Sequence, residues 1–337
     1  MSPVTTTRLQ SGIIIMFLVT FCALTSITGS AQTQPQSGTD TTTNVTATEA
    51  SATDKFRKAL ITYRPALRFD TGEDFFPLKA DAITNNVGNR LTRDNNETIA
   101  ERQPGGKGLR IGYLRGGDKY PNGKDILGND KIILRHENKD DYFEDAARLQ
   151  KDDRYRDRVY RRLILTRDDG RITGAWLQYW FYYYYNDFPS GVRGGDHEGD
   201  WELVQIKLGA DAKPVYAVYS HHGKGSKCVW RKIEKDGARP KVFIARGSHA
   251  NYFRTGNHHP QDLDEPNDGK KPRNFRQLRP MSNSATPWLN WPGFWGSTKG
   301  SVPVIDSTSP KGPKMQSKMW DPEIFAGDAE VDDDCKD

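Results

Sequence analysis

Cysteine is scarce in this chain, with three in 337 residues, and Cys22 lies in an apolar N-terminal stretch. The remaining pair, Cys228 and Cys335, is too small a set for a scaffold that depends on several disulfides. One bridge between them stays open as an alternative. Because Cys335 lies in the acidic segment 328–337, we expect it to be free or frayed.

The sequence also lacks an apolar run long enough to cross a bilayer, which takes about 20 residues. The apolar run at residues 13–24 follows Arg8 and precedes the small residues 29–31. This order is typical of a secretory signal peptide, so we expect residues 1–31 to be removed and the protein to be secreted or to lie in the secretory pathway. An uncleaved membrane anchor is the alternative.

A strong excess of one charge is absent as well. The chain has 49 basic and 44 acidic residues, a net charge of +5, and no basic block interleaved with aromatic residues. This pattern excludes a typical nucleic-acid module from the expected functions. A nucleophile elbow, a phosphate-binding loop and a zinc-protease helix motif are also missing, so none of those enzyme classes is indicated. The sequence says nothing about protein partners.

Turn-forming and aromatic residues are abundant, with 31 Gly, 19 Pro and 11% aromatics, which favours a β-rich fold. Asp-Asp-Gly at 168–170 predicts a hairpin, and its second arm, 172–185, is apolar on both faces as in a central strand. Further strands are predicted at 201–208, 214–220 and 241–245. The expected class is all-β or β-rich, a single antiparallel β-sandwich with long decorated loops and a few short helices.

We expect one folded domain in the mature chain. Residues 32–54 are mostly Thr, Ser, Gln and Ala with few apolar side chains, so they are predicted to form a disordered stalk. The β-sandwich domain is placed at residues 55–325, and an acidic disordered tail at 326–337. No internal repeat and no further domain boundary is found in the sequence.

The segment 194–202, Gly-Gly-Asp-His-Glu-Gly-Asp-Trp-Glu, concentrates acidic groups at the start of a strand. Alternate side chains of a strand share a face, so Asp200 and Glu202 should point the same way as the apolar Val204. Carboxylates beside a core are costly unless something neutralises them. A bound hard cation, with His197 as an added ligand, would do so, and pairing with arginines is the alternative.

Several separated motifs resemble the vacuolar protein sorting-associated protein 62 family. They are Leu-Arg-Phe-Asp-Thr-Gly-Glu-Asp-Phe-Phe-Pro at 67–77, the acidic segment, Arg-Pro-Lys-Val-Phe-Ile-Ala-Arg-Gly-Ser-His-Ala-Asn-Tyr at 239–252, and Trp-Gly at 295–296 followed by Ser-Pro-Lys-Gly-Pro at 309–313. The resemblance covers roughly residues 63–322. The family name records a sorting phenotype rather than a chemistry, so it implies no reaction.

A more distant resemblance is to the secreted necrosis-inducing cytolysins, which carry a Gly-His-Arg-His-Asp-Trp-Glu heptapeptide after an aromatic strand and an Asp-x-Pro turn. Matched residue by residue, this resemblance implies a divalent cation held by Asp187, His197, Asp200 and Glu202. The oxygen-rich set favours Mg²⁺ or Ca²⁺ over Zn²⁺. The family's arginine and second histidine are Glu198 and Gly199 here, so the loop is more acidic. Lipid recognition and lysis do not carry over, because no specific motif for them is matched outside this site.

Three functions stay open for such a site. The first is a binding module that uses the cation to grip a glycan or a membrane-lipid head group, with membrane perturbation as one outcome; the aromatic cluster 288–295 could meet the target or instead plug the sandwich. The second is a metal-dependent hydrolase, with His221, His222 or His249 as general acid or base and Asp196 and Glu198 as spare carboxylates. The third is a purely structural ion.

Overall fold

Strands dominate the structure, and the few helices are short apart from the first. The computed structural model describes residues 41–93, 96–188, 195–256, 264–299 and 307–335. The strands are β1 (Ala66–Phe69), β2 (Arg90–Thr92), β3 (Thr98–Glu101), β4 (Lys131–Ile133), β5 (Arg158–Asp168), β6 (Arg171–Asn186), β7 (His197–Leu208), β8 (Pro214–His221), β9 (Lys224–Val229), β10 (Lys235–Asp236), β11 (Arg239–Ile244), β12 (Asn251–Tyr252), β13 (Lys271–Arg273), β14 (Gln277–Pro280) and β15 (Glu330–Val331). The α-helices are α1 (Thr41–Thr62), α2 (Lys139–Lys151), α3 (Ser317–Trp320) and α4 (Pro322–Asp328). The predicted β-rich class is confirmed.

The largest sheet has seven strands in the order β14-β5-β6-β7-β8-β9-β15. Its body from β5 to β9 is antiparallel, and the two edge strands β14 and β15 are parallel to their neighbours. Asp169 and Gly170 both have positive φ, 44° and 76°, which is the tight turn that Asp-Gly predicts between β5 and β6. β6 lies inside the sheet, in agreement with its apolar side chains on both faces.

Each face of this sheet is covered, so the core has two layers. One face, called the tryptophan face, includes Trp176, Trp180 and Tyr182 of β6 and packs against the three-stranded sheet β3-β2-β4. The other, called the aliphatic face, includes Leu177 and Tyr179 and packs against the sheet formed by β10, β11, β1 and β13, with β12 paired to β11. The predicted sandwich is confirmed, with the seven-stranded sheet as the middle layer between two smaller sheets.

The first helix occupies part of the segment expected to be a stalk. α1 begins at Thr41, and residues 32–40 lie outside the described residues. Phe56, Ala59 and Leu60 recur at the spacing of one helical face and are buried among the residues of the aliphatic face. This packed end supports the preceding turns, which composition alone assigns to a stalk. Within the described part of the chain, no helix is both long and apolar enough to cross a membrane.

The C-terminal segment is held against the sheet as far as it is described. β15 pairs with β9, and Cys335 forms a disulfide with Cys228, with the two Cα atoms 5.2 Å apart. The expectation that Cys335 is free or frayed is therefore wrong. α4 carries the chain back along β9, which brings together two cysteines that are 107 residues apart. Residues 326–335 accordingly differ from the predicted disordered tail.

Candidate metal and ligand site

The start of β7 contains a glycine that no other residue could replace without strain. Gly199 has φ +55°, and a Cβ there would lie 2.0 Å from the carbonyl oxygen of Trp295. The side chains on either side of it diverge. Glu198 contacts Tyr142 on the tryptophan face, whereas Asp200 contacts His249, which packs on Tyr183 of the aliphatic face. The left-handed residue thus separates the acidic segment into two environments.

Glu198 is fully buried and receives four hydrogen bonds. The Ser297 N–H and hydroxyl donate to Oε2 at 2.8 and 2.6 Å, while the Tyr142 hydroxyl and the Leu134 N–H donate to Oε1 at 2.8 and 3.2 Å. Burial raises the pKa of Glu198 to about 7 in spite of these donors. Its carboxyl group therefore ties α2 and the loops at Leu134 and Ser297 to β7, and it does not face the other carboxylates.

Asp200 and Glu202 lie together on the aliphatic face, as strand alternation predicts. Their exposed fractions are only 6% and 5%. The Trp201 N–H donates to Asp200 at 2.8 Å, and the Ser220 hydroxyl donates to Glu202. Burial and the charge of Asp200 raise the pKa of Glu202 well above its ordinary value. Among the described residues, no lysine or arginine pairs with either carboxylate. The alternative that arginines neutralise these two carboxylates therefore has no support within the described part of the chain.

His249 lies beside this pair and connects it to another buried carboxylate. Its Nδ1 is 3.1 Å from Asp200 Oδ2, its Nε2 is 3.9 Å from Glu73 Oε1, and its ring stacks on Tyr183 with centroids 3.8 Å apart. Glu73 accepts the Gly247 N–H at 2.8 Å, and burial raises the pKa of Glu73. His249 has an exposed fraction of 0%.

The sheet topology explains why Glu73 and His249 meet. β1 and β11 are parallel neighbours, with Phe69 opposite Ile244, so the loops at their carboxyl ends leave the same edge. Glu73 lies in the loop after β1 and His249 in the loop after β11. In the sequence, Glu73 stands out only as one member of a family motif. Only the knowledge that these two short segments pair in parallel would have placed Glu73 beside His249, and no sequence pattern reveals that pairing.

His197 interacts electrostatically with Asp200 and with His249. Its Nδ1 lies 3.1 Å from the Gly199 carbonyl oxygen. Burial lowers the pKa of His197, so the imidazole is held neutral, which is the form that ligates metal ions. His197 and Glu202 thus each interact electrostatically with Asp200, which is the centre of this neighbourhood.

Asp187, the fourth expected ligand, is engaged elsewhere. Its carboxylate forms an ion pair with Lys139, whose Nζ is also 3.1 Å from Asp196 Oδ2. Its backbone N–H donates to the Gly247 carbonyl at 3.0 Å, so only the main chain reaches the His249 loop. As the side chains stand, no three His, Cys, Asp or Glu of the described ranges lie close enough together to hold a metal ion. Metal binding therefore stays a prediction.

The other candidate histidines and the aromatic cluster lie outside this neighbourhood. His221 Nε2 is 3.0 Å from the Ser226 hydroxyl, and His222 Nε2 is 2.9 Å from Asp264. Trp288, Trp291 and Trp295 are buried, with ring contacts such as 5.0 Å between the centroids of Trp288 and Trp295. They fill the tryptophan face. The expectation that this cluster plugs the sandwich is therefore confirmed, and the expectation that it forms an exposed binding platform is wrong.

Comparison with known proteins finds similar chains but no matching family model. Vacuolar protein sorting-associated protein 62 of Saccharomyces cerevisiae is 36% identical over 105 residues, which cover 25% of this chain and 22% of that protein. Putative vacuolar protein sorting-associated protein TDA6 of the same organism is 33% identical over 120 residues, 28% of this chain and 24% of that protein. The matched segments thus span less than a quarter of these curated relatives.

Solved structures that are similar include toxins. A structure of NLPPya in complex with glucosamine is 16% identical, covers 79% of this chain and 89% of its own, and has a TM-score of 0.36. A structure described as a toxin fold for microbial attack and plant defense is 21% identical over 46% of this chain and 64% of its own, with a TM-score of 0.29. Both resemblances drawn from the motifs are confirmed. TM-scores this low do not establish a shared fold, so the fold assignment rests on the sheet topology above.

Proposed function

We propose that the protein is an exported β-sandwich protein that binds a divalent cation through Asp200, Glu202 and His197 and uses it to recognise a glycan or a membrane-lipid head group. The observation that carries the proposal is the pair of buried carboxylates on one face of β7, which have no lysine or arginine beside them among the described residues and only the His249 imidazole next to Asp200. Two like charges in a low-dielectric site repel, and a hard cation would relieve that repulsion.

The chemistry of these side chains fits such an ion. Two carboxylates and a neutral imidazole suit Ca²⁺ or Mg²⁺ better than Zn²⁺, which favours thiolate and several imidazole ligands. Asp187 would join only by leaving Lys139. A site with three protein ligands keeps coordination positions for water or for the hydroxyl and phosphate oxygens of a ligand. These free positions distinguish a binding site from a purely structural ion.

The hydrolase alternative is less well supported by the geometry. His249 is the histidine nearest to the carboxylates, but it is fully buried between Tyr183, Asp200 and Glu73. A general acid or base must reach the substrate, directly or through one water. His221 is occupied near Ser226 instead. Positioning of Asp200 by His249 explains the same contacts without a catalytic step.

Isothermal titration of the purified, chelator-stripped protein with Ca²⁺, Mg²⁺, Mn²⁺ and Zn²⁺ tests the metal. We expect saturable binding of Ca²⁺ or Mg²⁺ that Asp200→Asn abolishes. Asp211→Asn is the matched control, because Asp211 lies in the exposed turn between β7 and β8 and makes the same chemical change. Unchanged affinity in Asp200→Asn would refute the ligand assignment.

The recognition step is tested in the presence of the bound ion. Glucosamine and mannosamine, which are bound in structures of NLPPya, are the first probes, and vesicles with glycosylated or phosphorylated head groups are the next. Binding that needs the ion supports recognition through the cation, whereas a bound ion that changes no ligand affinity supports the structural alternative. Export is tested separately, by the N-terminal sequence of protein recovered from the culture medium.

A further inference from the structure

A groove of about 520 Å³ lies between α1 and β5. It is next to the edge of β5 that faces away from β6. β14 covers the outer edge of β5 only up to Arg161, which pairs with Pro280. Beyond that point no described strand pairs with this edge, although β5 continues to Asp168. The groove occupies the space that the short edge strand leaves open.

The groove is strongly basic, and no described aspartate or glutamate lines it. Its lining residues include four basic ones, Arg57, Lys58, Arg161 and Arg162. Lys58 pairs with Asp54 one turn earlier on α1, whereas the Nε of Arg161 is buried and has no hydrogen-bond partner among the described residues. The Arg162 side chain is engaged on the tryptophan face, because it donates to the Trp320 carbonyl at 2.7 Å and lies over the Trp320 ring. Arg57 and Arg161 remain without an acidic partner among the described residues, and an anionic ligand would offset the cost of the buried Arg161 group.

The walls of the same groove are apolar. Leu60 and Ile61 of α1 line it together with Leu163 of β5 and Met281. Ile61 has an exposed fraction of 48%, which is large for an isoleucine on a helix that is otherwise packed at this end. A ligand that covered Ile61 would gain about 25 cal/mol for each Å² of apolar surface removed from water.

We propose that this groove binds a single-chain anionic amphiphile, whose carboxylate or phosphate head pairs with Arg161 and Arg57 and whose alkyl chain lies against Ile61 and Leu163. A volume of about 520 Å³ fits within the range of small-molecule sites. The guanidinium of Arg161 can bind either head in a bidentate manner. The groove shares no residue with the proposed cation site at Asp200, Glu202 and His197, so the two sites are independent.

The purified protein is titrated calorimetrically with dodecanoate, dodecyl phosphate and, as a neutral probe, dodecyl maltoside, all below their micelle concentrations. We expect both anionic amphiphiles to bind in a one-to-one ratio and the neutral probe to bind at least about tenfold more weakly. Acetate and inorganic phosphate, which carry the heads alone, should not bind measurably. Preference between the two dodecyl probes indicates whether a fatty acid or a lysophospholipid is the better source of the anion.

Two pairs of variants localise the binding. Arg57→Gln should weaken dodecanoate binding several-fold, whereas Arg171→Gln, an exposed arginine at the start of β6, should not. Ile61→Trp should block the groove while all cations remain, and Ile324→Trp, an exposed isoleucine on α4, is its control. Equal binding of dodecyl maltoside, full affinity in Ile61→Trp, or binding of an acidic hexapeptide in place of the amphiphiles would each overturn the proposal.

Discussion

Gly199→Ala should destabilise the protein more than an alanine at any unconstrained glycine with a similar backbone. At φ +55°, an alanine costs about 1 kcal/mol relative to glycine. The new Cβ would also lie 2.0 Å from the Trp295 carbonyl oxygen, and this main-chain atom cannot rotate away. Moving the segment around Trp295 disturbs a buried tryptophan cluster, which costs about 1–3 kcal/mol more. The expected loss is about 2–4 kcal/mol of unfolding free energy.

Gly223→Ala is the matched control for this prediction. Gly223 has φ +73°, and nothing among the described residues lies within 4 Å of the position that a Cβ would take there. Both variants restrict the unfolded chain equally and both carry the left-handed penalty, so the difference between them isolates the contact with Trp295. Urea unfolding followed by tryptophan fluorescence gives the two free energies. Equal losses in the two variants would refute the argument that Trp295 closes over Gly199.

Two further changes test the disulfide and the buried carboxyl group. Cys335→Ser should lower the unfolding free energy by about 2–5 kcal/mol because the bridge closes a long loop, and the reduced wild-type protein should show the same loss in urea unfolding. Burial raises the pKa of Glu198 from 4.5 to about 7, so the folded protein holds a proton that the unfolded chain releases, and the contribution to stability falls as pH rises from 4.5 to about 7. Glu198→Gln should remove this contribution to the fall of stability with pH. If the difference in urea midpoint between pH 5 and pH 7.5 were the same in the variant as in the wild type, the assignment would be contradicted.

The main sheet could be predicted from local patterns. The Asp-Gly turn between β5 and β6 and the aromatic residues of β6 signal a hairpin with a central strand, because both features depend only on neighbouring residues. The alternation that places Asp200 and Glu202 on one face depends on β7 alone. The same alternation fails at Glu198, two residues before Asp200, because Gly199 adopts a left-handed conformation that strand alternation does not anticipate.

What the sequence could not reveal depends on long-range pairing. Glu73 joins His249 through the parallel pairing of β1 with β11, which lie about half the chain length apart in the sequence. The engagement of Asp187 by Lys139 requires the position of α2 relative to the end of β6. Cys335 looks like part of a solvated tail until α4 and β15 carry it back to β9. Each of these is a tertiary contact without a local signature.

The bridge between Cys228 and Cys335 makes the C-terminal third of the protein a closed ring. β11, His249 and the buried tryptophans 288, 291 and 295 all lie between the two cysteines. A protease that cuts once inside this ring leaves both pieces covalently joined, so the nicked protein keeps its mass until a reductant is added. In an oxidising compartment, the loops of this region can therefore be cleaved without releasing a fragment.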